Sequence, residues 1–125
     1  MMKLGPSLVM TPDLGEALTF YREVLGLSLL AQSASQLVFG SGTWALHVFK
    51  CEGPAAAQQH GRDASSVISF ETESLAVTMV ELQARGVEFL HASPARNGLA
   101  SLSYAAFRAP GGNVHELVQR DQPAN

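Results

Sequence analysis

Apolar residues recur along this chain in two rhythms, and the same succession of rhythms occurs twice. Residues 4–10 alternate weakly between apolar and polar, the period of a half-buried strand, and stop at Thr11-Pro12-Asp13. Asp13 followed by Glu16 has the spacing of a capping box, so a helix is predicted over about 13–25. Leu14, Ala17, Leu18, Tyr21 and Leu25 follow at intervals of three and four, an apolar stripe that ends at Gly26. Leu27–Gln32, Gln36–Phe39 and Thr43–Lys50 then read as short strands joined by Ser33-Ala34-Ser35 and Gly40-Ser41-Gly42, which suit tight antiparallel connections. The predicted order is β-α-β-β-β.

Cys51–Ala64 (CEGPAAAQQHGRDA) is small, polar and aperiodic, as expected of an exposed connector. Beyond it the order returns: strand Ser66–Glu71, cap Ser74, a helix to about 85 with Leu75, Met79 and Leu82 on one face, and a stop at Gly86. Strand Val87–His91, a Pro94–Gly98 loop, and strands Ser101–Arg108 and Asn113–Gln119 complete the second copy. Asp13 precedes Gly26 by 13 residues and Ser74 precedes Gly86 by 12; Gly42 precedes His47 by five and Gly111 precedes Glu116 by five. An internal repeat of this kind predicts one α+β domain, residues 1–125, of two βαβββ modules: about 3–50 and about 65–120, with 51–64 between them. Each helix would cover one face of its sheet, and the opposite faces would curve into a cup for a small ligand.

Composition narrows the function. A net charge of −3 with 15% charged residues lacks the basic stripe that nucleic-acid backbones require. Residues 24–49 carry no Asp, Glu, Lys or Arg, but polar and glycine interruptions make a series of strands a better reading than a membrane span. No signal-peptide pattern opens the sequence, and the single cysteine, Cys51, excludes an intrachain disulfide framework; both suit a reducing cytoplasm.

The segment Pro12–Leu27 (PDLGEALTFYREVLGL) closely resembles the D-L-x-x-A-x-x-F-Y-x-x-V-L-G-L helix of the glyoxalase, bleomycin-resistance and dioxygenase superfamily, the vicinal-oxygen-chelate fold. Phe107–Gln119 (FRAPGGNVHELVQ) resembles its closing turn and strand, with departures at Ala109 and Gly112, and the resemblance spans roughly residues 4–119. In metal-dependent relatives a divalent ion is held by the first and last strand of each module. Carried over, those positions are Pro6 and His47 in the first module and Val67 and Glu116 in the second. Only His47 and Glu116 can ligate, whereas a catalytic Zn²⁺ normally keeps three protein ligands and a non-haem Fe(II) site two His and a carboxylate. The expectation is therefore no cofactor; were Zn, Fe, Mn or Ni present, His47 and Glu116 would hold it. His115 adjoins Glu116 on a strand and must point to the opposite face, while His60 and His91 are not placed by the motif.

His47 and Glu116 are the candidate catalytic pair, able to share a proton in a desolvated pocket; their plainer readings are a cup-lining histidine and an exposed strand carboxylate paired with Arg96 or Arg108. If His47 faces the cup, Ala45 and Phe49 do too, while Trp44, Leu46 and Val48 face away. Candidate ligand contacts are Pro6, Leu8, His47, Phe49, Val67, Tyr104 and Glu116, an apolar lining suited to apolar or aromatic compounds. Arg96 and Asn97 read first as solvated loop residues, with contact to the ligand as the alternative, and Cys51 as a spectator. The resemblance implies a homodimer that binds a small organic molecule without a complete metal site, as in bleomycin resistance. The alternative is an enzyme: a lyase or isomerase using His47 and Glu116, or a metal-dependent lyase or ring-cleaving dioxygenase.

Overall fold

In the computed structural model, residues 2–41, 44–53, 57, 59–62, 64 and 66–122 are described. Gly42 and Thr43, expected in a turn and at the head of a strand, lie outside them, as do part of the connector and the side chain of Trp44. The chain forms two compact units, Met1–Ala57 with Pro110–Gly112, and Gln58–Ala109 with Asn113–Asn125.

The first unit runs β1 (Ser7–Thr11), α1 (Leu14–Leu18), β2 (Ser28–Gln32), β3 (Gln36–Ser41) and β4 (Trp44–Lys50). The second repeats it as β5 (Ile68–Glu71), α2 (Leu75–Ala84), β6 (Ala95–Asn97), β7 (Leu102–Arg108) and β8 (Val114–Arg120). Each unit is a four-stranded sheet with its strands in the order first, fourth, third, second. The first and fourth pair in parallel and the others antiparallel. The expected pair of βαβββ modules is thus the observed architecture.

The caps act as the sequence implies. Asp13 Oδ1 accepts the Glu16 N–H at 3.0 Å and Ser74 Oγ the Val77 N–H at 3.3 Å, satisfying donors that a helix start leaves open. After Leu18 the helix widens: Thr19–Val24 is π-helical, and Leu25 N–H bonds the Phe20 carbonyl five residues back at 2.9 Å. The apolar stripe gives no hint of this. Ala17 and Tyr21 are buried on the first helix, and Leu75, Met79 and Leu82 on the second. Tyr21 meets Phe39 of β3 with ring centroids 5.6 Å apart, and burial pushes its phenol pKa well above the ordinary value.

Alternation along the central strands separates their two faces. In β4, Leu46 and Val48 are buried, whereas Ala45, His47 and Phe49 are half-buried. Cross-strand pairing aligns Val9 and Leu37 with Val48, and Phe39 with Leu46, on the helix side. In the second unit Phe107, His115 and Leu117 are buried, and Gln119 Oε1 accepts the Leu75 N–H at 2.7 Å, which marks this parity as the helix side. Burying each of the large apolar side chains here contributes roughly 2 kcal/mol.

The expected strand over Val87–His91 is absent as a ladder. Phe89 makes a single bridge to Phe107, flanked by Leu90 N–H to the Ala106 carbonyl and Arg108 N–H to the Glu88 carbonyl. The chain then leaves β7 and returns as Ala95–Asn97 opposite Leu102–Tyr104, inside the segment expected to be a loop. Pro94, which has no N–H to give a ladder, lies where the pairing is interrupted. One edge therefore serves β7 in two pieces. The first unit has a milder version, a one-residue shift in the β2–β3 register between Leu29 and Ala31.

Candidate functional site

The face of the second sheet turned away from α2 carries the residues that share Glu116's parity. Glu116 pairs with Ser69 on β5 and Ala106 on β7, and Tyr104 pairs with Val118. Ser69, Arg96, Asn97, Gly98, Leu102, Tyr104, Glu116 and Val118 line a concavity of about 480 Å³. Among these, Tyr104 and Glu116 are candidate ligand contacts from the sequence, and Arg96 and Asn97 are the residues for which ligand contact is the alternative reading. Val67 lies just before β5, so the residue opposite Glu116 is Ser69, two positions on. The floor of this concavity is accordingly polar, where an apolar one was expected. Arg96 and Asn97 reach it because the supposed loop is β6, although both remain exposed.

His60, from the connector, sits on this carboxylate: its Nε2 lies 2.7 Å from Glu116 Oε2, with side chains only 18% and 22% exposed. The His60 ring stands edge-on to His91 at 5.0 Å and tilted against Tyr104 at 5.9 Å, and His91 meets Tyr104 at 5.7 Å. His91 Nδ1 accepts the Ala106 N–H at 3.2 Å, taking a ladder position where the chain departs from β7. That acceptor role leaves the proton of a neutral His91 ring on Nε2. The connector has no periodicity, so no register argument could have placed His60. Ser69 was within reach, by asking which β5 residue a parallel partner sets beside Glu116.

The remaining candidates are located as follows. Pro6 precedes β1 and is exposed, and Leu8, half exposed, pairs in parallel with His47. His47 has Val38 on its other side, and Phe49 pairs with Met10 and Gln36. These lie in the first unit and Glu116 in the second. Arg96 donates to both carboxylate oxygens of Asp121 through its two terminal guanidinium nitrogens. Arg108 approaches Glu88 at 4.0 Å. His115 packs on the helix side between Phe70 and Phe107, at 5.3 and 5.7 Å, and desolvation lowers its pKa to about 4 against a hydrogen bond at Val114 that raises it.

A sequence profile described as the glyoxalase/bleomycin resistance protein/dioxygenase superfamily matches residues 3–117. The chain belongs to this superfamily. No curated protein matches it by sequence. Among solved structures it is similar to TnmS3, an antibiotic-binding protein from Streptomyces sp. CB03234, at 23% identity and a TM-score of 0.70, covering 97% of this chain and 99% of that one. It is also similar to the fosfomycin resistance protein FosX from Listeria monocytogenes, at 14% identity, TM-score 0.72 and coverage of 97% and 95%. A superfamily protein from Nocardioides gives 17%, 0.73, and 100% and 91%. These likenesses concern the fold.

The metal-binding pattern of the superfamily does not fit the residues present. Pro6 and Val67 offer no donor, Leu8 beside His47 offers none, Ser69 beside Glu116 has only a neutral hydroxyl, and one Glu116 oxygen is already engaged by His60. Among the described residues no group of three or more His, Cys, Asp or Glu is placed to hold an ion. Among them, too, no helix is long and apolar enough to cross a membrane.

Proposed function

We propose that this superfamily member binds a small organic molecule on the concave face of its second unit and holds it unchanged, as a sequestering resistance factor does. The observation that carries this reading is the 480 Å³ concavity, within the usual range for a small-molecule site, with the Tyr104 ring among its polar lining. An antibiotic-binding protein and a fosfomycin resistance protein among its structural neighbours support the class of ligand. An aromatic or apolar body with a few hydrogen-bonding groups suits the lining better than a wholly apolar compound.

Calorimetric titration against a panel of aromatic antibiotics and fosfomycin tests it. At least one compound is expected to bind with 1:1 stoichiometry per chain and to be recovered unaltered by mass spectrometry. Tyr104→Ala should weaken that binding at least tenfold, and Cys51→Ser should not change it. Absence of binding across the panel, or equal affinity in Tyr104→Ala, refutes the reading.

The 2.7 Å contact between His60 and Glu116 favours a second reading, a lyase or isomerase in which this pair moves a proton. Conversion of a bound compound, lost in both His60→Ala and Glu116→Gln, would establish it. We further propose a homodimer, supported by the exposed Leu8 and Met10 of the first unit's sheet, and a cytoplasmic setting, supported by the single thiol. Native mass spectrometry at micromolar concentration should return the dimer mass.

A further inference from the structure

Three carboxylates belong to or border the concave side of the second unit, and they are matched differently. Glu71 is bound by Arg120 and Asp121 by Arg96, each a guanidinium that stays charged at any working pH. Among the described residues, Glu116 is matched by an imidazole, His60. The imidazole is a single-point partner where a guanidinium is a fork: it meets Oε2 alone, and a carboxylate accepts about four hydrogen bonds. His60 contacts Oε2 from the connector, while Glu116 itself lines the concavity, so a ligand can reach the carboxylate without displacing the histidine.

The polarity runs along the strands. Glu116 pairs with Ala106 at one end of β7; Asn97 pairs with Leu102 at the other, about 13 Å away, with Tyr104 between. Asn97 Oδ1 already accepts the Ala100 N–H at 3.1 Å, which leaves its amide N–H groups to offer. The concavity thus has an anionic acceptor at one end, an aromatic ring in the middle and donors at the far end.

Resting on the binding reading above, we propose that the ligand is a flat nitrogenous cation, an amine or amidine on an aromatic body, whose N–H groups meet Glu116 and whose ring lies against Tyr104. Charge-assisted hydrogen bonds to a carboxylate with little exposure, and a cation beside an aromatic face, both favour that class over anions. His60 is a positioning residue: its Nε2 contact with Oε2 fixes the orientation of the Glu116 carboxylate.

Three probes with one ring system separate the proposal from the reading beneath it: 2-naphthylmethylamine, 2-naphthalenemethanol and 2-naphthoate, titrated calorimetrically into the intact protein. The amine should bind at least tenfold tighter than the alcohol, and 2-naphthoate weakest. Glu116→Gln, which keeps the shape and removes the charge, should erase the amine's advantage over the alcohol. His60→Gln should retain most of that advantage because its amide can still donate to Oε2, whereas His60→Ala should reduce it. Equal binding of amine and alcohol to the unaltered protein, or an advantage that persists in Glu116→Gln, overturns the cation proposal and leaves the binding site standing. If none of the three binds, and none shifts the Tyr104 ring resonances, the cation proposal falls, and the antibiotic panel decides the binding reading separately.

Discussion

His115 is 1% exposed, sealed between Phe70 and Phe107, and its pKa of about 4 has a direct stability consequence. In the unfolded chain the same imidazole takes a proton near pH 6.5. Between those values the unfolded state binds more protons, so this group's contribution is intact above about pH 6.5 and is lost as pH falls toward 4, about 3 kcal/mol in all. Urea midpoints measured from pH 7 to pH 4 should fall, and the fall should be shallower in His115→Phe. A parallel decline in both proteins would assign the acid sensitivity elsewhere. That His115 and Glu116 face opposite ways was legible from strand alternation alone. His60 was not, because its contact with Glu116 spans 56 positions and starts in a segment with no period to count from. The polar floor is hidden for a smaller reason: counting back from the helix cap leads to Val67, whereas the ladder begins at Ile68 and sets Ser69 beside Glu116.

At the scale of elements, caps and stop signals carried most of the information. The helices lie within a residue or two of their predicted ends because Asp13, Ser74, Gly26 and Gly86 act locally. The edge of β7 differs from expectation because Val87, Phe89 and Leu90 have strand-forming side chains, yet whether such a segment forms a ladder depends on a partner strand that local pattern cannot see. Two glycines test how far local conformation and packing can be separated. Gly86 has φ +91° with open space where a Cβ would go, so Gly86→Ala should cost about 1–2 kcal/mol for the left-handed backbone alone. Gly111 has φ +80°, but its Cβ would stand 2.9 Å from the Met10 carbonyl oxygen and 3.0 Å from Thr11, so backbone must move as well. Gly111→Ala should therefore be the more destabilising by about 1 kcal/mol or more in urea denaturation, and equal costs would mean the Pro110–Gly112 turn yields freely. Asp13→Ala, losing one cap bond, should cost about 1 kcal/mol by the same measure.

At the scale of the whole chain, the repeat was readable because spacing survives where side chains have diverged: cap to stop, and glycine to the half-buried position of the last strand, recur within one residue. The same superposition exposes the incomplete ligand pattern. Elemental analysis of protein purified without chelator should find transition metal well below one equivalent, and EDTA should leave the thermal midpoint unchanged; a stoichiometric metal would require ligands other than the four superfamily positions. The strand order has a further consequence in time. In each unit the strand synthesised fourth lies between the first and the third, so β1 and β5 have no sheet neighbour of their own until β4 and β8 have been made. A growing chain can form the helix and the two hairpin strands early, but the sheet closes through its latest arrival, across a sequence separation of 39 residues in the first unit and 47 in the second, a long loop to order before any contact rewards it. Until then β1 and β5 keep unpaired edges, the intervals in which each half of the molecule is most open to a wrong partner.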